Sequence, residues 1–418
     1  MFFLYQIFIF IVFLLSPIII LIRLIKKKED KFRFLEKFCF FSQKRPKGNL
    51  LWFHAASVGE LMSIIPLIHE LEKNKKIKTI LITTSTLSSS KIFKNFKFRK
   101  TIHQFFPIDL FYFISKFINY WKPKISIFID SEIWPCTYRM LKRNSIPLLL
   151  LNARVTPKSF NRWKFFNKSS KNVFENIDTA YPCNLETKKF LKKFNVKNIK
   201  TIGNIKFCDA KSIKQTSFPN SFLVQTNKRL IFCASSTHKG EENIIANSHL
   251  KLRKKFKNLL TIIIPRHINR VNDINNDLQS LGLKTVIRTS KKKIDINTDI
   301  YLVDTYGETK KFLKISKIAY IGGSLINHGG QNPIEPAKFG LNILHGPNVH
   351  NFDEIYKLFN KKKIAYKINN QQQLINICSK LIISKKNNKI SLKKLSSSIL
   401  KKSVNEINKK FKDEIQKT

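Results

Sequence analysis

Leu50-Leu51-Trp52-Phe53-His54-Ala55-Ala56-Ser57-Val58-Gly59-Glu60-Leu61 is a short apolar run that stops in small residues and then takes up helical spacing. An apolar run without alternation suits a strand buried on both faces, as in a parallel sheet. The small residues and Gly59 let such a strand turn tightly into a helix that opens near Glu60. The same unit recurs, with apolar runs at 79–83, 125–130 and 148–151, each followed by a longer segment of helical period. That alternation is the signature of a doubly wound α/β fold. After a polar stretch at 209–227 it restarts, with runs at 230–234, 259–265, 300–303 and 318–321. Two Rossmann-like domains are expected, at 29–210 and 211–418, and a chain of 418 residues agrees with that number, since one domain usually holds about 100–200 residues. The Lys-rich segment 370–418 has no strand runs and reads as helices that close the second domain or pack back on the first.

The chain carries 77 Lys+Arg against 27 Asp+Glu, a formal net charge of +50. Such charge attracts phosphate-bearing surfaces, whether nucleic acid, anionic lipid or an acidic substrate, and it also suits lysines that simply coat solvated faces. The lysines run through the whole chain, with no zinc-finger spacing and no aromatic RNA-binding signature, so nucleic acid is not the expected partner. Six cysteines occur without a CxxC pair, which reads as reduced thiols in the cytosol. Residues 2–22 hold no charge, and about 20 such residues cross a bilayer core. Arg23, Lys26, Lys27 and Lys28 follow the apolar run, and no small-residue cleavage site ends it. Residues 1–28 therefore read as a membrane-anchor helix rather than a cleaved signal peptide, with the rest of the chain on the cytoplasmic face. Ser16 and Pro17 near its middle also allow a tilted or interfacial helix.

Open α/β sheets bind ligands beyond the carboxyl ends of their strands, so the residues where each run stops are the candidates. Glu60 stands after the first run, where a glutamate also complements a helix start by about 0.3–1 kcal/mol. A second acid, Glu132, stands in Ile129-Asp130-Ser131-Glu132-Ile133-Trp134-Pro135 ahead of a Pro-initiated helix. Two acids at one sheet edge suit proton abstraction and its support. Gly203-Asn204-Ile205-Lys206-Phe207 puts a cation beside a glycine turn, and Ile264-Pro265-Arg266-His267 places a phosphate-pairing arginine at the close of another run. Ala234-Ser235-Ser236-Thr237-His238-Lys239-Gly240 has the small, hydroxylic character of a turn whose amides hold an anion. No Walker pattern is present. In Ile321-Gly322-Gly323-Ser324-Leu325-Ile326-Asn327-His328-Gly329-Gly330-Gln331-Asn332-Pro333-Ile334-Glu335-Pro336-Ala337 the glycines let backbone approach a ligand, and Glu335 is placed to accept from ribose hydroxyls.

The strings HAASVGE, IDSEIWP, NAR, GNIKF, ASSTHKGEE, PRH, DTYGE, IGGS and GGQNPIEPA, in this order between residues 49 and 353, resemble the 3-deoxy-D-manno-octulosonic acid (Kdo) transferase family. The resemblance implies the two-domain glycosyltransferase fold called GT-B, with acceptor on the N-terminal domain and CMP-Kdo on the C-terminal one. It implies transfer of Kdo from CMP-Kdo to lipid IVA, the lipid A precursor of lipopolysaccharide, at the cytoplasmic face of the bacterial inner membrane. Carried onto this chain, Glu60 is the general base, and Glu132 and Lys206 support the transition state. Pro265 and Arg266, then Gly307, Glu308 and Thr309, then Asn332, Pro333, Ile334 and Glu335 form the CMP pocket. The hydroxyl attacks the anomeric carbon directly, inverting it without a covalent intermediate. A leaving group with one phosphate is then offset by Lys206, Arg266 and helix-terminal amides, and neither a metal nor a cofactor is expected.

The chain departs from the family pattern at Ser89, where a glycine is expected, at Cys208 before Asp209, and at Val155-Thr156 after NAR, whose Arg154 is an acceptor-contact candidate. Two other readings compete. One is a GT-B transferase using a UDP-sugar, against which HAASVGE and GNIKF argue. The other is a non-catalytic basic protein of the membrane surface or of nucleic acid, against which the retained Glu60, Glu132 and Lys206 argue.

Overall fold

β1 (Leu50–His54) is buried along its whole length, and this is why its sequence shows no alternation. A computed structural model describes residues 2–208, 218–383 and 389–417; Asp209 and the domain boundary drawn at 210/211 lie outside them. Five more parallel strands join β1: β2 (Thr79–Thr84), β3 (Thr101–Phe105), β4 (Ile125–Ile129), β5 (Leu148–Ala153) and β6 (Thr179–Pro182). Their order is β3-β2-β1-β4-β5-β6. The winding reverses between β1 and β4, so the crevice where such sheets bind ligands opens at the carboxyl ends of those two strands.

The second sheet holds β7 (Leu230–Thr237), β8 (Leu259–Pro265), β9 (Thr285–Ile287), β10 (Ile300–Leu302), β11 (Ile318–Ile321), β12 (Asn342–His345) and β13 (Ala365–Lys367). Its order is β13-β12-β11-β7-β8-β10-β9, again parallel throughout, with the reversal beside β7. Each sheet carries its own apolar core, built around Trp52, Phe117 and Phe128 in the first and Phe232, Ile263 and Tyr320 in the second.

The chain divides into two compact units, 1–213 with 396–418 and 214–395. The C-terminal residues, drawn in the sequence reading within 211–418, thus belong to the first unit. Ile399, Ile407 and Phe411 of the helix Lys389–Gln416 are buried there. Glu406 pairs with Lys200 at 2.6 Å, and Asn408 accepts from Asn74 at 2.8 Å. Residues 1–28, drawn as a separate anchor, belong to the same unit. Helix α1 (Phe2–Ile25) is long and apolar enough to cross a membrane, yet Phe13 packs on Phe38 and Phe113 with ring centroids 6.2 and 5.4 Å apart.

Gly203 meets the C-terminal helix directly. Its φ is +101°, and a Cβ there would lie 2.8 Å from Cγ1 of Ile399. Gly203→Ala should therefore lower the unfolding free energy of the first unit by about 1–3 kcal/mol. A urea midpoint equal to that of the wild type would show that the helix is not held at this point.

Candidate active site

The crevice of the first unit is built where β1 turns into α2 (Val58–Leu71). Ser57 caps α2, its hydroxyl accepting from the Glu60 amide at 3.3 Å, while Glu60 reaches back to the amides of Ala56 at 2.8 Å and Ser57 at 3.4 Å. This capping box satisfies otherwise orphaned amides at the helix start. Both return bonds go to Oε2, so Oε1 has no protein partner among the described residues. Burial, then the negative charges of Glu132 and Asp130, push the Glu60 carboxyl up to about 7. One side chain thus shapes the turn and sits at the pKa that suits a base near neutral pH.

Glu132 follows β4 on the other side of the crevice and is held by two ring N–H groups. Trp134 Nε1 donates to its Oε2 at 2.9 Å, and His54 Nε2 lies 3.3 Å from the same oxygen. Burial keeps the His54 imidazole below its usual pKa against the pull of Glu132, so the ring is neutral at pH 7. With Nε2–H facing the carboxylate, Nδ1 takes the Thr83 hydroxyl at 2.9 Å, and Thr83 Oγ1 accepts from Trp52 Nε1 at 2.9 Å. A buried chain of hydrogen bonds from Trp52 through Thr83 and His54 fixes Glu132.

Lys206, on the turn after Gly203, donates to Asp130 Oδ2 at 2.6 Å. Asp130, just past β4, and Asn152, near the end of the neighbouring β5, have φ of 61° and 56°, left-handed values that non-glycine residues rarely hold. Asn152 Oδ1 accepts from the Ile205 amide at 3.0 Å and so fixes the turn that carries Lys206. Asp130 Oδ1 and Asn152 Nδ2 are buried without a hydrogen-bond partner among the described residues. Sequence reasoning named Glu60, Glu132 and Lys206 but not His54, Asp130 or Asn152; the position of Asp130 and Asn152 at adjacent strand ends is the signal that points to them. Ser89 is buried in the helix Leu87–Phe93 and bonds the hydroxyl of Thr86 at 2.7 Å. Arg154 donates its amide to Asp130 O at 3.0 Å and accepts at its own carbonyl from Ser131 Oγ at 2.9 Å.

In the second unit the reversal point is organised by Glu241, a residue without a role in the sequence reading. Its buried carboxylate accepts from the amides of Gly323 (2.7 Å), Ser324 (3.0 Å), Leu325 (3.1 Å) and His238 (3.0 Å) and from the Tyr320 hydroxyl (2.6 Å). The glycines of this stretch, read in the sequence as places for ligand approach, partly serve the chain itself. A Cβ on Gly322 would lie 2.2 Å from Ser236 O, and one on Gly346 2.1 Å from Ser324 O. Two backbones cross there with no room for a side chain.

Pro265 closes β8, and Arg266 follows it with an exposed side chain and its amide on Thr237 O at 2.9 Å. Gly307 has φ +83° with open space where a Cβ would stand, and Thr309 begins the helix Thr309–Ile315. Glu308 is taken up by the protein. Burial opposes its ionisation, but Arg288, Thr305 and Lys311 outweigh it and hold the carboxyl down at about 2. Asn332 Oδ1 accepts from the Ile334 amide at 3.0 Å, Pro333 caps the helix Ile334–Lys338, and Glu335 pairs with Lys310 at 3.4 Å. Among the described residues no His, Cys, Asp and Glu side chains group as a metal site.

The profile of the family described as 3-Deoxy-D-manno-octulosonic-acid transferase (kdotransferase) matches residues 32–209. A 3-deoxy-D-manno-octulosonic acid transferase of Rickettsia bellii is 35% identical over 403 residues, which is 94% of this chain and 94% of that one. The chain belongs to the Kdo transferase family. The Haemophilus influenzae member is 30% identical over 338 residues, 80% of this chain and 79% of its own. A putative UDP-N-acetylglucosamine 2-epimerase of Listeria monocytogenes superposes with a TM-score of 0.59 at 12% identity, covering 89% of this chain and 98% of its own, a likeness of fold alone. The two parallel-sheet units are those of a GT-B glycosyltransferase. As a Kdo transferase the chain is an enzyme, and Kdo transfer in lipopolysaccharide biosynthesis is its activity class.

Two predictions follow from these side chains. In Glu60→Gln the amide oxygen preserves the cap bonds, but the group no longer ionises. Because the folded pKa of Glu60, about 7, lies above the ordinary value of 4.5, ionisation opposes folding increasingly as pH rises between those values. The variant should melt above the wild type near pH 8 and close to it near pH 5, in paired thermal scans. Glu241→Ala leaves five donors facing an empty buried space, and it should cost the second unit about 3–5 kcal/mol in denaturant unfolding; a loss below about 1 kcal/mol would remove Glu241 from its organising place.

Proposed function

We propose that this chain transfers Kdo from CMP-Kdo to lipid IVA in a single inverting displacement, with Glu60 as base and without a metal ion. The observation that carries the reading is Glu60 itself, a carboxyl pushed up to about 7 at the switch point of its sheet, with Oε1 unengaged. Glu60 takes the proton of an acceptor sugar hydroxyl as its oxygen attacks the anomeric carbon of Kdo. The bond from that carbon to the phosphate oxygen breaks, and CMP leaves with the electron pair. Glu132, fixed by His54 and Trp134, keeps negative charge beside the base and so keeps its proton affinity high. Lys206 is the cation of this edge, and Asp130 holds it in place until charge develops.

In the second unit Arg266 supplies a charge-assisted contact for the CMP phosphate. Glu335, whose pairing with Lys310 lies at the surface, accepts from the ribose hydroxyls. Glu308 instead stiffens the 305–309 turn through Arg288, so that Gly307 presents bare backbone to the nucleotide. The acceptor is an anionic lipid, and an apolar N-terminal helix followed by Lys26, Lys27 and Lys28 holds the enzyme at the cytoplasmic face of the inner membrane.

Transfer of labelled Kdo from CMP-Kdo, generated in place, to lipid IVA with EDTA present tests donor, acceptor and metal independence together. Wild type should give product and Glu60→Gln should lose about 10²–10⁴-fold in kcat; near-wild-type turnover by the variant would overturn the assignment of the base. Activity should rise with pH up to about 7 and then level as Glu60 loses its proton. Glu132→Gln removes a negative neighbour, so the rising limb should move to lower pH; an unmoved limb would mean that Glu132 does not act on the base. Arg266→Ala should weaken inhibition by CMP about tenfold or more, within the range of a charged hydrogen bond.

A further inference from the structure

Three imidazoles meet at the switch point of the second unit. His238 follows β7, His267 comes just after β8, and His328 lies in the loop after β11. The His238 and His328 rings stand 4.1 Å apart, and the His238 and His267 rings 5.8 Å apart. His238 is buried, whereas His267, His328 and Arg266 are exposed, so the group has a floor and an open rim. Gly323 lets two of the rings close over bare backbone. Its φ is +67°, and a Cβ there would lie 3.2 Å from His328 Cδ2 and 3.3 Å from His238 Cδ2. Gln331 adds its side-chain amide, 3.4 Å from His238 Nε2.

The fold does not account for this group. No hydrogen bond ties the ring nitrogens of His267 or His328 to another described residue. Glu241, the acid that lies beside His238, is already held by the Tyr320 hydroxyl and by backbone amides. Burial first, then His328, keep the His238 imidazole below its usual pKa; Glu241 pulls the other way, and His267 and Arg266 oppose it. Positive potential therefore collects on the open side of His238, where an anion relieves it.

The class of anion follows from covalent chemistry. In a CMP-linked 2-keto sugar acid such as CMP-Kdo, the carboxyl carbon and the phosphate-bearing oxygen are attached to the same anomeric carbon. The two negative groups of the donor must then be met side by side. Arg266, the phosphate partner in the reading above, bonds Thr237 O through its amide at 2.9 Å, and the residues next along from that bond are His267 and His238. Imidazole N–H groups donate to a carboxylate in charge-assisted hydrogen bonds.

We propose that His238, His267 and His328 form a subsite for the carboxylate of the donor sugar, beside the cation that takes its phosphate, and so select an acidic sugar over a neutral one. This rests on the reading of CMP-Kdo as the donor.

The first test is kinetic. His328→Ala, at an exposed position that leaves the fold intact, and His238→Gln should each raise the KM for CMP-Kdo about tenfold or more, within the range of a charged hydrogen bond. The inhibition constant of CMP, which has no carboxylate, should stay at the wild-type value. Two constants that rise together place the histidines on the phosphate, and an unmoved KM removes them from the donor; either result overturns the proposal. The second test uses binding alone. With CMP saturating the full chain, added Kdo should shift the imidazole Cε1–H resonances of His238 and His328, and the uncharged Kdo methyl ester should not. Resonances that ignore Kdo, or move equally with the ester, overturn the subsite. A wild-type chain that transfers no Kdo counts against the function proposed above rather than against the subsite, which the resonances still decide.

Discussion

A parallel sheet buried on both faces can place polar chemistry only where its strands end, and both units of this chain are built on that constraint. Within β1 and β4 every side chain is buried, and the first groups able to face a ligand are those just past His54 and Ile129. The reversal of winding between the same two strands opens the crevice at that place and no other in the sheet. Glu60 and Glu132 stand there because β1 and β4 are neighbours, although the chain between them forms β2 and β3. In the second unit the reversal beside β7 does the same for the loops after β7 and β11, which Glu241 ties together.

The first crevice is costly to assemble, and its parts offset one another. Asp130 and Asn152 hold left-handed backbone, which costs on the order of 1–3 kcal/mol at each such residue. Asp130 is kept there by its amide on Leu151 O and its carbonyl under the Arg154 amide. Three carboxylates close together would repel, but Lys206 answers Asp130 and the two ring N–H groups answer Glu132. Glu60 meets only backbone amides, those of Ala56 and Ser57, among the described residues, and its carboxyl rises to about 7. A helix start favours an anion by about 0.3–1 kcal/mol, which is too little to reverse a rise of that size. The capping role and the raised pKa therefore coexist.

Much of this was legible in the sequence because burial on both faces writes strands as plain apolar runs. β3 was not legible, since Thr101-Ile102-His103-Gln104-Phe105 is polar at its centre. It is a strand because distant groups serve it: Thr84 bonds His103 at 2.9 Å, Arg33 reaches the His103 carbonyl at 2.8 Å, and Glu36 accepts from the Phe105 amide at 2.8 Å. β9 and β13 are too short to carry a pattern. Glu60, Glu132 and Lys206 could be placed from the strand ends they follow. His54 could not, because inside a strand its imidazole looks like core until Glu132 is known to lie beside it. Gly322 in the glycine-rich run was undecidable in a similar way, because whether it faces a ligand or another backbone depends on Ser236, far away in the chain.

Glu241 changes how an anion must be met in the second unit. Successive amides such as those of Gly323, Ser324 and Leu325 form the kind of concavity that holds phosphate in many nucleotide-binding loops. In this chain a carboxylate from the protein fills it, and Tyr320 and the His238 amide complete its coordination. The loop is thereby fixed before any ligand arrives, and its amides are already taken. Those amides stay closed to a phosphate for as long as Glu241 holds them.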